Sequence, residues 1–188
     1  MAPIRRAGRA TLASGATLTW SAAEGIRGTR WREAITDKGI LVRSLLLEVS
    51  PLGRPTRLEI TTLAGLLTLH PEVDESALHG NVATSDGVRH LSFGWSPSHA
   101  LFVVESPACL AAVLGELAQG VAVGASIELD GVRIDDALEP QEDRWLVTRR
   151  SGDTWRIRLL EATEDLEVRT DHEGRPILAG AQGWPLEI

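Results

Sequence analysis

Asp143-Arg-Trp-Leu-Val-Thr-Arg-Arg150, then Ser151-Gly-Asp153, then Thr154-Trp-Arg-Ile-Arg-Leu-Leu-Glu161 is the stretch that decides the fold. Trp145 and Val147 alternate with Arg144, Leu146 and Thr148, and Trp155, Ile157 and Leu159 alternate with Arg156 and Arg158. Period-two alternation on both sides of a short Ser-Gly-Asp turn predicts a β-hairpin with one apolar and one solvated face.

The pattern recurs outward from this hairpin. Ile40–Val49 and Arg57–Thr62 alternate on either side of the turn Pro51-Leu-Gly-Arg-Pro55. Val88-Arg-His-Leu-Ser-Phe-Gly-Trp95 alternates and stops at Ser96-Pro97, and Ala100-Leu-Phe-Val-Val-Glu105 resumes as a strand buried on both faces. Leu166–Asp171 and Pro176–Ala179 flank another tight turn. One segment breaks the rule. Ser106-Pro-Ala-Cys-Leu-Ala-Ala-Val-Leu-Gly-Glu-Leu-Ala-Gln-Gly120 opens with a Ser N-cap and Pro at the first helical position, closes on Gly, and sets Leu110, Val113, Leu114 and Leu117 at helical spacing. The expectation is a mainly β, single-domain antiparallel roll or open barrel over residues 1–188, with residues 1–10 as a flexible arm. One amphipathic helix near residues 107–119 packs on the sheet.

Composition narrows the function classes. The chain has 188 residues, 43% hydrophobic and 24% charged, and a net charge of −7, which is the profile of a globular protein. Acidic net charge argues against nucleic acid, whose binding rests on phosphate neutralisation. Residues 1–45 nevertheless carry eight basic and three acidic side chains, a local +5 that leaves −12 for the rest. Cys109 is the one cysteine, so there is no internal disulfide framework and no multi-cysteine metal site. It reads as a small core residue. The basic N-terminus has no continuous apolar stretch behind it, and no run approaches the length of a membrane span. The expected compartment is the cytoplasm.

Chemistry-bearing patterns are few. Gly94-Trp-Ser-Pro-Ser98 is not a nucleophile elbow, and Gly120-Val-Ala-Val-Gly124 is not a phosphate loop. His70, His79, His90 and His99 fall in one stretch without the spacing that places two ligands on one strand or helix face. No catalytic residue and no cofactor is assigned. The tryptophans carry more: six against two phenylalanines and no tyrosine. Trp145 and Trp155 lie in the hairpin, Trp31 and Trp95 end or begin strands, and Trp184 follows the last one. On a curved sheet such rings can line an apolar cavity, and Arg32, Arg144, Arg156 and Arg158 beside them can meet a sugar or anionic head group.

The order of features also resembles a known family. Arg30-Trp31-Arg32 leads into the Leu41–Val49 and Thr56–Thr62 hairpin, followed by Gly65-Leu-Leu-Thr-Leu69 and Leu78-His-Gly-Asn81. Next come Trp95-Ser-Pro-Ser-His-Ala-Leu101, then Val168-Arg-Thr-Asp-His-Glu-Gly174 and Trp184. This layout resembles the glycolipid-binding family of bacterial proteins, which adopt a spiral β-roll. The resemblance implies a binding role and supplies no catalytic residues. The expected function is therefore non-enzymatic binding of an amphipathic small molecule, a lipid or glycolipid, by Trp31, Trp95, Trp145 and Trp155, with His79, His90 and His99 at the mouth. The alternatives are a metal-dependent hydrolase or isomerase built on the four histidines, and a module that forms a homodimer through a sheet face.

Overall fold

The computed structural model describes residues 4–12, 14–163, 165–171 and 176–177. Eight strands follow one another in space as they do in sequence: β1 (Ile4–Thr11), β2 (Thr17–Gly25), β3 (Gly28–Asp37), β4 (Ile40–Val49), β5 (Pro55–Thr62), β6 (Gly65–Pro71), β7 (Ala77–Thr84) and β8 (Gly87–Gly94). All neighbours are antiparallel, and the sheet curls into a half-barrel. A second sheet holds β9 (Ala100–Val103), β10 (Ser126–Ile134), β11 (Pro140–Arg149), β12 (Thr154–Leu159), β13 (Leu166–Thr170) and β14 (Pro176–Ile177), in the order β14-β13-β12-β11-β10-β9. Between β9 and β10 the chain makes the single helix among the described residues, α1 (Pro107–Leu117).

The hairpin that decided the fold is β11–β12, with Val147 opposite Ile157 and Arg149 opposite Trp155. The expected flexible arm is instead strand β1, paired with β2 from Ile4–Glu24 to Thr11–Thr17. Its alternation escapes notice because Gly8 and Ala10 hold inward positions where bulkier apolar residues would signal a strand. The reason for Gly8 is spatial: a Cβ there would lie 2.4 Å from Nε1 of Trp20.

The antiparallel expectation has one exception. β9 and β10 run parallel, with Gly131 opposite Ala100, joined by the crossover through α1. Parallel pairs need such a crossover and are buried on both faces. Accordingly, all four residues of β9 are buried. Leu101 and Val103 point into one core with the half-barrel, whereas Ala100 and Phe102 point into a second core with Trp145, Trp155 and Val168.

Helix α1 is divided in the same way and is more enclosed than a one-faced amphipathic helix, every residue from Pro107 to Leu114 being buried. Its small residues Ala108, Cys109, Ala111 and Ala112 face the first core, and the larger Leu110, Val113 and Leu114 face the second. Polar anchors hold both ends. At the start, Ser106 Oγ accepts from the Cys109 N–H at 3.3 Å, and Oε1 of the buried Glu33 on β3 accepts from the Ala108 N–H at 2.7 Å. Arg43 on β4, itself buried, donates to the Val104 carbonyl at 2.6 Å, to Asp136 at 2.9 Å and to the Glu105 carbonyl at 3.1 Å, fixing a turn in which Glu105 has φ of +54°. At the far end Arg149 donates to the Ala118 and Val121 carbonyls at 3.0 and 2.8 Å and stacks over the Trp155 ring at 5.1 Å. Carbonyls left over at a helix C-terminus are thus capped by a cation, which also suits the helix dipole.

Candidate functional site

The tryptophans do not surround one hollow. Trp31 on β3 is 3% exposed and lies tilted on Trp20, ring centres 5.9 Å apart, in the first core together with Trp95. Trp145 and Trp155 belong to the second core, Trp145 with its ring 4.2 Å from that of Phe102. None of these rings lines the cavities described below. The indoles are the filling of two cores, each Trp contributing a large apolar area. Trp184 lies outside the described residues.

The four histidines do not gather at one point, although two of them are neighbours. His79 on β7 and His90 on β8 stand on the outer face of the half-barrel, His79 Nε2 2.9 Å from Glu72 and His90 Nδ1 against the side-chain Oδ1 of Asn81. His70 is opposite His79 across the β6–β7 ladder, a pairing that linear spacing within one strand cannot reveal. No group of three side chains arranged to hold a metal ion occurs among the described residues. His99, by contrast, follows Ser96-Pro-Ser98 at the entry to β9 and sits edge-on to Trp95, centroids 5.4 Å apart at 83°.

His99 lines two hollows. The first, of about 520 Å³, lies across β10, β11 and the end of β12, with Gly94 closing it from the half-barrel side. Its charged lining is Asp130, Glu142, Asp143 and Glu161 against one guanidinium, Arg144. Arg144 Nε is bound to Asp130 at 2.6 Å, and Asp143 is held by Arg133, also at 2.6 Å. Glu142 and Glu161 have no such cation among the described residues. The basin is therefore net acidic and offers carboxylate acceptors to a hydroxylated or cationic group while repelling anions.

The second hollow, of about 200 Å³, is an apolar slot between α1 and β10. Ala100, Ala112, Val113, Leu117, Ile127 and Leu129 form its walls, with Ser98, His99 and Glu116 as polar groups at its rim. Burial raises the Glu116 carboxyl above its ordinary pKa, with Arg54 opposing the shift. Apolar walls with a few convergent polar groups are the general pattern of a small-molecule site. An apolar cavity of about 150 Å³ takes a benzene ring, so this slot suits one ring or a short branched chain rather than a full acyl chain. Sequence reasoning names His99 as a candidate but not the slot it borders. Ile127 and Leu129 on β10 and Ala112 and Val113 on α1 are ordinary core residues in sequence, and only the tertiary gap between the two elements makes them walls.

Neither the family models nor the curated proteins contain a match to this chain. Among solved structures, a DUF1089 family protein from Pseudomonas aeruginosa is similar over 97% of this chain and 91% of that one, with a TM-score of 0.57 and 16% identity. That likeness establishes the mainly β fold across nearly the whole chain, and the fold alone. No helix among the described residues is long and apolar enough to cross a membrane.

Proposed function

We propose that the protein is a non-enzymatic binder of an amphipathic small molecule, with the apolar part in the slot beside α1 and a hydroxylated head in the acidic basin. The observation that carries this reading is that one side chain, His99, borders both hollows, so a single ligand can span an apolar and a polar compartment around it. The charge of the basin favours an uncharged polyhydroxyl head, such as a sugar, over a phosphate or sulfate. The resemblance to the glycolipid-binding family points the same way. What changes from the sequence expectation is the site: the walls are Val113, Leu117, Ile127 and Leu129, not the indoles.

The test is a titration of the full chain with a short-chain alkyl glucoside, below its micellar concentration, and with the alkyl sulfate of equal chain length. Trp95, in contact with His99, reports by fluorescence. The glucoside should bind and the sulfate should not. Ile127→Phe, which places a ring at a half-exposed wall of the slot, should weaken the glucoside about tenfold, the equivalent of about 1.4 kcal/mol. Equal binding of both detergents, or a glucoside affinity untouched by Ile127→Phe and His99→Ala, would refute the reading.

A further inference from the structure

The outer face of β1, β2 and β3 carries a second, independent feature. Small side chains there, Ala7, Ser21 and Ala23, floor a trough of about 510 Å³. Arginines rise on both sides of it. Arg5 on β1 is opposite Ala23, which is opposite Arg30 on β3, and Ala7, Ser21 and Arg32 form the adjacent row. Flanking strands lie about 10 Å apart across the strand between them, a gap that long guanidinium side chains close from both sides around one anion.

Most arginines of this acidic chain are already matched. Arg57, Arg89, Arg133, Arg144, Arg156 and Arg169 each meet a carboxylate. The trough departs from that habit. Arg30 is bound to Glu48, but Arg5 and Arg32 make no hydrogen bond or ion pair with the described residues, and the Ser21 hydroxyl in the Arg32 row has none either. In a protein with a net charge of −7, carboxylates are abundant, yet none among the described residues is paired with these two cations. Arginine side chains at these register positions are long enough to swing over a floor without bulky side chains, and guanidinium groups bind the oxygens of a tetrahedral oxyanion in bidentate fashion.

We propose that this trough binds a phosphate group, held by Arg5, Arg32 and the Ser21 hydroxyl, with Arg30 sharing its charge between the ligand and Glu48. It differs from the amphipathic site in place and in sign: that basin repels anions and this one attracts them.

Inorganic pyrophosphate is the probe. It is titrated into the full chain at low ionic strength while the arginine Nε–H and strand amide resonances are followed by NMR. Saturable shifts confined to β1–β3 are expected, weakening as salt is added. The double variant Arg5→Gln/Arg32→Gln should lose about tenfold or more in affinity, since charge-assisted hydrogen bonds are the strong class. The charge-matched control Arg89→Gln/Arg156→Gln, at exposed sites on β8 and β12, should change it less than about twofold, as screened charges at a distance do. Co-sedimentation with vesicles of phosphatidylcholine, with and without phosphatidylglycerol, separates the sources. Retention only by the anionic vesicles, lost in the trough double variant, assigns a lipid headgroup; pyrophosphate binding without retention assigns a soluble phosphate ester. Equal weakening in both double variants, or shifts that never saturate or scatter over the surface, would overturn the proposal.

Discussion

Replacing Glu33 by Gln should change how stability depends on pH, and the structure fixes both the sign and the size. Glu33 is 4% exposed on β3, and burial pushes its carboxyl up to about 7 against the Ala108 N–H, the nearby Ser106 hydroxyl and the Arg43 guanidinium, all of which favour the charged form. Its second oxygen has no hydrogen-bond partner among the described residues. With an unfolded pKa of 4.5, the folded state holds the extra proton between pH 4.5 and 7. The stabilising contribution is therefore complete below about pH 4.5 and is lost as pH rises through about 7. At about 1.4 kcal/mol per unit, the loss is about 3 kcal/mol, reached by pH 8. The amide of Glu33→Gln keeps an acceptor for Ala108 and cannot ionise. Urea unfolding of both proteins, followed by Trp fluorescence at intervals from pH 4.5 to 8, cancels every other titrating group in the difference. The variant should gain about 3 kcal/mol on wild type across that range. A difference that stays flat with pH would refute the reasoning, because it would mean that Glu33 stays charged in the folded protein.

Other outcomes follow from the same contacts. Arg43→Ala removes hydrogen bonds to two carbonyls and to Asp136, and should cost about 3 kcal/mol in urea unfolding, since bonds to charged groups are worth about 1.5–3 kcal/mol each and Asp136 is left in water. Gly8→Ala drives a methyl against Trp20 and should cost about 1–3 kcal/mol, with a shifted Trp emission as a second readout. The Cys109 thiol is buried and pushed up to about 12, first by desolvation and then by Glu33. Its labelling by a thiol reagent at pH 8 should therefore track unfolding, and rapid labelling of the native protein would contradict its placement.

Much of the fold was legible because the decisive strands alternate cleanly. Ile40–Thr62, Arg144–Leu159 and the capped segment from Ser106 each satisfy one period, and each forms the element it announces. β1 and β10 were missed for related reasons. Gly8 and Gly131 occupy inward positions in them, where a side chain would strike Trp20 in one case and the Ala100 backbone in the other, so close packing erased the apolar beat that marks a strand. The sites were less legible. Buried Trp residues advertise apolar surface without saying whether it faces a void or another ring, and here neighbours such as Phe102 and Arg149 occupy that space. Arg5 reads only as part of a charge excess, and Arg30 and Arg32 only as the flanks of Trp31, until strand register sets them around Ser21 and Ala23.

The sequential strand order of the half-barrel has a consequence for biosynthesis. Each of its strands pairs with the one made just before it, so residues 4–94 can zip together as they leave the ribosome, with little loop entropy to overcome. The pieces that cover its inner face, Leu101, Val103 and the alanine side of α1, are translated only afterwards. A nascent chain whose emerged part ends between Gly94 and Ala112 is then a complete eight-stranded sheet with a bare apolar hollow. That interval is when a holdase chaperone would find this protein, and when aggregation would compete with its folding.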